Sequence, residues 1–95
     1  MSPTITEIRN LVSSVMRRRG VLHAAVFGSA ARGEAAPSSD VDFLVEFEDD
    51  RTLLDLSGLV IDLREALGRN VDVVTRNALH PKLRDAILSE AVPIL

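Results

Sequence analysis

Two aspartates, Asp40 and Asp42, stand at the head of an apolar run, and Gly28-Ser29 ends the apolar run before it, with ten residues between Ser29 and Asp40. Residues two apart on a strand leave the same face, about 6.5–7 Å apart along the chain. Two like charges on one face of an otherwise apolar strand repel, and they are costly to desolvate unless a cation sits between them. Carboxylate oxygens used this sparingly, with phosphates completing the shell, suit Mg²⁺. Glycine at a strand end lets backbone N–H groups approach a ligand, and a serine after it caps a short helix whose N-terminus favours anions. Asp-x-Asp alone is in most proteins a solvated turn. With Gly-Ser at this distance and strands on both sides, it describes a phosphate and metal site.

These residues need elements to hold them. Val21 to Phe27 and Val41 to Phe47 are short apolar runs and read as strands; the second alternates Asp40, Asp42 and Leu44 with Val41, Phe43, Val45 and Phe47. The all-apolar face goes to the core and the aspartates face the site. Ser29 to about Glu34 is expected to form a short helix or helical turn, and Ala35-Ala36-Pro37-Ser38-Ser39 the loop that delivers Asp40. Upstream, Ser2-Pro3 and the Thr4 to Glu7 capping spacing start an amphipathic helix with Ile5, Ile8, Leu11, Val12, Val15 and Met16 on its apolar side. Arg17-Arg18-Arg19 and Gly20 then end it, arginines complementing the helix dipole.

Downstream, Thr52 to Leu67 places Leu53, Leu56, Val60, Leu63 and Leu67 on one helical face, widened by Leu54, Leu59 and Ile61, with Asp50 or Thr52 as the cap and Gly68 after the end. Val71 to Thr75 reads as a third strand. The last segment, Asn77 to Glu90, has Pro81 at the first helical position and Leu79, Leu83, Ile87 and Leu88 as its buried side; Val92-Pro93-Ile94-Leu95 is a candidate edge strand, where proline is tolerated. The fold class is therefore α/β (α+β), a small mixed sheet of three to four strands flanked by helices.

For Gly28 and Asp40 to share a site, the first two strands must be antiparallel. A helix of about sixteen residues between the second and third strands has the length of a right-handed crossover between parallel strands. Asp72, thirty residues after Asp42, then lands beside Asp40 and Asp42. A third carboxylate there is what a two-metal site needs to hold ions about 3.5–4 Å apart.

The 95 residues and 46% hydrophobic composition fit one globular domain over residues 1–95. A net charge of −3 argues against a general nucleic-acid-binding surface. The chain has no cysteine, which excludes disulfides, thiol catalysis and zinc-thiolate sites, and no apolar run approaches a membrane span. A soluble cytoplasmic protein is expected.

Phe27-Gly28-Ser29-Ala30-Ala31-Arg32-Gly33-Glu34-Ala35, continuing to Ser39-Asp40-Val41-Asp42-Phe43-Leu44-Val45 and later Val71-Asp72-Val73, resembles the signature of the DNA polymerase beta-like nucleotidyltransferase superfamily, and specifically its minimal nucleotidyltransferases. The resemblance covers nearly the whole chain. It implies that Asp40 and Asp42 ligate two Mg²⁺ ions, that Asp72 helps hold the catalytic ion and promotes deprotonation of the acceptor hydroxyl, and that Gly28 and Ser29 contact the β,γ-phosphates of ATP. Arg32 neutralises phosphate charge on the same grounds. A commoner family variant has arginine where this chain has Ala30, so one cation of the family pattern is missing.

Many such proteins are antitoxins whose partner is an all-helical HEPN ribonuclease toxin, and the resemblance implies transfer of AMP to a hydroxyl of that toxin. The chain contains no tyrosine, so a tyrosyl acceptor belongs to another protein. Its only aromatics, Phe27, Phe43 and Phe47, all fall in expected strands, which leaves none to stack on a base and predicts modest base selectivity. A competing reading is a catalytically idle subunit that neutralises its toxin by binding; the three repelling carboxylates favour activity. Transfer to a small molecule is disfavoured, because no second domain is present to form its pocket. A homodimer or a hetero-oligomer with the partner fits a small domain with apolar outer helices.

Overall fold

In a computed structural model, residues 4–34 and 40–95 are described. The expected contribution of Ser2-Pro3 to the first helix and the loop from Ala35 to Ser39 lie outside them. Helix α1 spans Ile5–Arg18, and Thr4 is its N-cap, Oγ1 accepting from the Glu7 N–H at 3.1 Å. Strand β1 is Val21–Phe27, β2 Val41–Phe47, helix α2 Leu53–Leu67, β3 Val71–Thr75, helix α3 Pro81–Glu90 and β4 Val92–Pro93.

The sheet order is β3-β2-β1-β4. β1 pairs antiparallel with both β2 and β4, and β2 pairs parallel with β3, as the crossover through α2 requires. Alternation along β2 sends Val41, Phe43 and Val45 under α1 and α2, where they are fully or almost fully buried with Ile8, Val12, Met16, Leu59 and Leu63. Asp42 and Leu44 face the other way. The shortest principal extent, 18 Å, is that of two layers, one sheet and one layer of helices. Among the described residues, no helix is long and apolar enough to cross a membrane.

The termini of α2 follow from local chemistry. Thr52 Oγ1 accepts from Leu54 N–H and Asp55 Oδ2 from Thr52 N–H, the two halves of a capping box, and Gly68 closes the helix in the left-handed region at φ 65°. Arg19, the C-cap of α1, reaches across to α2 and donates to Asp62 at 2.8 Å. One of the three arginines is thereby committed to joining two helices.

One expectation is resolved and two are corrected. Of the short helix or helical turn expected over Ser29 to about Glu34, the structure takes the turn: a set of hydrogen-bonded turns, with Arg32 N–H on Gly28 O at 3.3 Å and Glu34 N–H on Ser29 O at 2.9 Å. Glycines at positive φ, Gly28 and Gly33, bracket a segment too short to offset helix nucleation. The apolar faces of the helices are narrower than periodicity suggested: Leu11, Leu53, Leu54 and Ile61 are exposed, and α2 turns Leu59 and Leu63 to the core. The last helix begins at Pro81, the first helical position expected for it, after a 3-10 turn over Arg76–Ala78, but its expected buried side is not buried: it buries none of its residues, and Leu83 and Leu88 are exposed, while Leu79, just before it, is buried as expected.

Candidate active site

The antiparallel register puts Phe27 opposite Asp42, so Gly28 leaves β1 beside the first residues of β2. The parallel register puts Asp72 opposite Asp42 on the other side. Residues paired across a sheet point to the same face, so Asp42 lies between the glycine turn and Asp72, on the face away from α1 and α2. Asp40 precedes β2 and is exposed.

Gly28 adopts φ +73°, and a Cβ there would overlap Asp42 Oδ2. Only glycine permits both this backbone conformation and this approach of turn to carboxylate. Burial, followed by the charge of Asp72 and a hydrogen bond shared with it, and then by the charges of Asp40 and Glu90, pushes the Asp42 carboxyl above its ordinary value. The site is thus short of positive charge where two carboxylates meet. Hard oxygen donors held in mutual repulsion match the chemistry of a divalent cation. Asp42 and Asp72 are brought together directly, whereas among the described residues no three acidic, histidine or cysteine side chains converge into a ready-made cage.

Ser29 is half-buried at the head of the turn, and Arg32 is exposed at its end. The Arg32 guanidinium donates through Nε to Glu34 Oε2 at 3.1 Å and through Nη1 to Glu90 Oε2 at 3.0 Å, contacts that hold it above the ordinary arginine value. The other oxygen of Glu90, Oε1, accepts from the Gly28 N–H at 3.0 Å. Glu90 is the last residue of α3 and was not among the expected site residues. One signal pointed to it: an acid at a helix C-terminus opposes the macrodipole, so its position needs an outside partner.

Two further features escape the sequence. Phe27 shares the face of Asp42, is only half-buried and stands outside the main core cluster, so one aromatic ring does lie beside the site. A groove of about 260 Å³ opens on the sheet, bordered by Ala25, Leu44, Glu46, Arg76 and Leu88. Leu44 lies two residues along β2 from Asp42, on the same face.

A family model described as a nucleotidyltransferase domain matches residues 8–94. A Methanocaldococcus jannaschii relative, provisionally named a protein adenylyltransferase, is 47% identical over 96% of this chain and 98% of its own. A solved structure provisionally described as a minimal nucleotidyltransferase superposes with a TM-score of 0.85 at 44% identity, covering 96% of both chains. A more distant structure, of a tri-AMPylated Shewanella oneidensis HEPN toxin in complex with an MNT antitoxin, shares the fold with a TM-score of 0.73 at 18% identity, over 97% of this chain and 72% of that one.

Proposed function

Because the chain belongs to the nucleotidyltransferase domain family, a class of transferases, we propose that it transfers AMP from ATP to a hydroxyl, tyrosyl in the first instance, of a HEPN-type toxin and so acts as the antitoxin. The observation that carries this reading is the in-register pair Asp42 and Asp72 facing a glycine turn at positive φ that approaches the Asp42 carboxylate closely. The naming of the 47% identical relative supports the reaction, and the toxin bound in the distant structure supports the partner.

In this reading Asp40, Asp42 and Asp72 hold Mg²⁺, two ions in all. When bound, the ions neutralise charge on the attacking and leaving oxygens. Gly28 and Ser29 receive the β,γ-phosphates through the turn, and Arg32 offsets their charge. Asp72 is placed to promote loss of the acceptor proton. The acceptor oxygen bonds to the α-phosphorus, the bond from that phosphorus to the bridging oxygen breaks, and pyrophosphate leaves with the bonding pair. The open sheet face is the side from which a hydroxyl on another protein reaches the aspartates.

The test is intact-mass spectrometry of the partner toxin before and after incubation with this protein, Mg²⁺ and ATP. A mass increase of one or more AMP units, absent with Asp42→Asn, is the expected result. Neutralisation of the toxin by Asp42→Asn as well as by wild type, with no mass change in either case, would assign the function to binding alone.

A further inference from the structure

We infer that Glu90 is a positioning residue for the triphosphate cradle: its single carboxylate ties the first amide of the Gly28 turn to the Arg32 guanidinium and thereby sets their spacing for phosphate. This rests on the reading of Gly28, Ser29 and Arg32 as the phosphate-binding groups. Oε1 accepts from the Gly28 N–H and Oε2 from Arg32 Nη1, each at 3.0 Å. The same two residues are joined by a backbone bond from Arg32 N–H to Gly28 O at 3.3 Å, so the carboxylate closes from outside a turn that the main chain closes from within.

The turn needs such a brace. It is bracketed by Gly28 and Gly33, both at positive φ, and glycine is the residue with the most conformational freedom to lose. A carboxylate bridging its two ends removes that freedom before a ligand arrives, which is how preorganisation improves affinity. Arginine presents five N–H donors in a rigid fork. Its Nε and Nη1 bonds to Glu34 and Glu90 fix the plane of the guanidinium beside the Gly28 turn.

The contacts of Glu90 go to the Gly28 turn and not to the core. Its charge stands at the C-terminal end of α3, against the helix dipole, and adds to the repulsion around Asp42. The helix that carries it buries none of its own residues. An acid whose two oxygens are both spent on the ends of the glycine turn is tied to the site more than to its own helix.

The experiment measures calorimetric binding of AMP-PNP with Mg²⁺, together with ATP kinetics on the toxin, for wild type, Glu90→Ala, Glu90→Gln, Arg32→Ala and the double variant Glu90→Ala/Arg32→Ala. Glu90→Ala is expected to raise Kd and the ATP KM about tenfold, equivalent to ~1.4 kcal/mol, while kcat at saturating ATP stays within about threefold. Glu90→Gln keeps an acceptor for the Gly28 N–H and loses the charge that faces Arg32, so it falls between the two. It is also isosteric, and so decides the matter if the alanine variant does not fold. In the Arg32→Ala background the effect of Glu90→Ala shrinks to about threefold, because the two side chains act through one contact.

An unchanged Kd, full additivity with Arg32→Ala, or tighter binding by Glu90→Ala overturns the inference; the last result would make Glu90 an anion that competes with the phosphates. Wild type that transfers AMP while Glu90→Ala binds normally overturns the role of Glu90 and leaves the proposed reaction standing. Wild type that binds AMP-PNP yet modifies nothing overturns the reaction, and the Kd values still judge Glu90. Failure of wild type to bind overturns both.

Discussion

At the scale of single residues, the chemistry on offer is concentrated in charges that cost the fold something. Asp42 is held on a sheet face beside Asp72, partly removed from water, with its carboxyl pushed up by burial and by its acidic neighbours. A folded-state value above the unfolded one means that the ionised form is less welcome in the fold than in the unfolded chain. Asp42→Asn is therefore expected to melt at a higher temperature than wild type at neutral pH without divalent ions, while AMP transfer falls by about 10²-fold or more, the scale on which loss of a transition-state charge partner is felt. Scanning calorimetry and the mass assay read the two effects separately. Gly28→Ala has the opposite signature. Its φ of +73° and the overlap of a Cβ with Asp42 Oδ2 strain the fold itself, for an expected loss of about 1–3 kcal/mol in denaturant titration. The placement of Asp42 and Gly28 followed from strand alternation and a glycine signal, both local. Glu90 was missed because its meaning lies in a contact 62 residues away, with Gly28.

Among the elements, α2 carries the crossover that sets β3 parallel to β2, and its start is a capping box rather than packing: Leu53 and Leu54 are 79% and 82% exposed. Thr52→Ala is expected to cost about 0.5–2 kcal/mol in urea unfolding. The other half of the box titrates. The Thr52 N–H and then the Arg51 charge hold the Asp55 carboxyl below its ordinary value, so its contribution is present above the unfolded value of about 3.9 and is lost as pH falls through the lower folded one. The melting temperatures of wild type and Asp55→Asn should therefore differ at pH 7 and draw together as the pH falls below the unfolded value. Inside the same helix, Leu59→Ala opens a cavity in the core and is expected to cost about 2–5 kcal/mol, whereas Leu54→Ala changes stability by less than about 0.5 kcal/mol. The helix itself was visible in its periodicity, its caps and Gly68. Which leucines it buries was not, since Leu53, Leu54, Leu56 and Leu59 all satisfy a broad apolar stripe and only the neighbouring α1 and the sheet choose among them.

For the whole molecule, the decisive feature is that helices α1 and α2 cover one sheet face and leave the aspartates on the other. A ligand that binds this open face and not the unfolded chain stabilises the fold by mass action, by about 2.7 kcal/mol at a hundredfold excess over Kd. Mg²⁺ with AMP-PNP is expected to raise the melting temperature of wild type accordingly and to leave Asp42→Asn nearly unmoved; equal shifts in both would separate nucleotide binding from the aspartates. The sequence by itself determined the main helices and strands, the antiparallel then parallel strand pairing, and the approach of Asp72 to Asp42, because period, turn chemistry and crossover length act over short stretches of chain. Only the tertiary structure decided the strand order β3-β2-β1-β4, which leucines α2 buries, the half-buried Phe27 on the site face and the Glu90 bridge. Each of these depends on which distant segment occupies the space beside a residue, and local pattern carries no information about that neighbour.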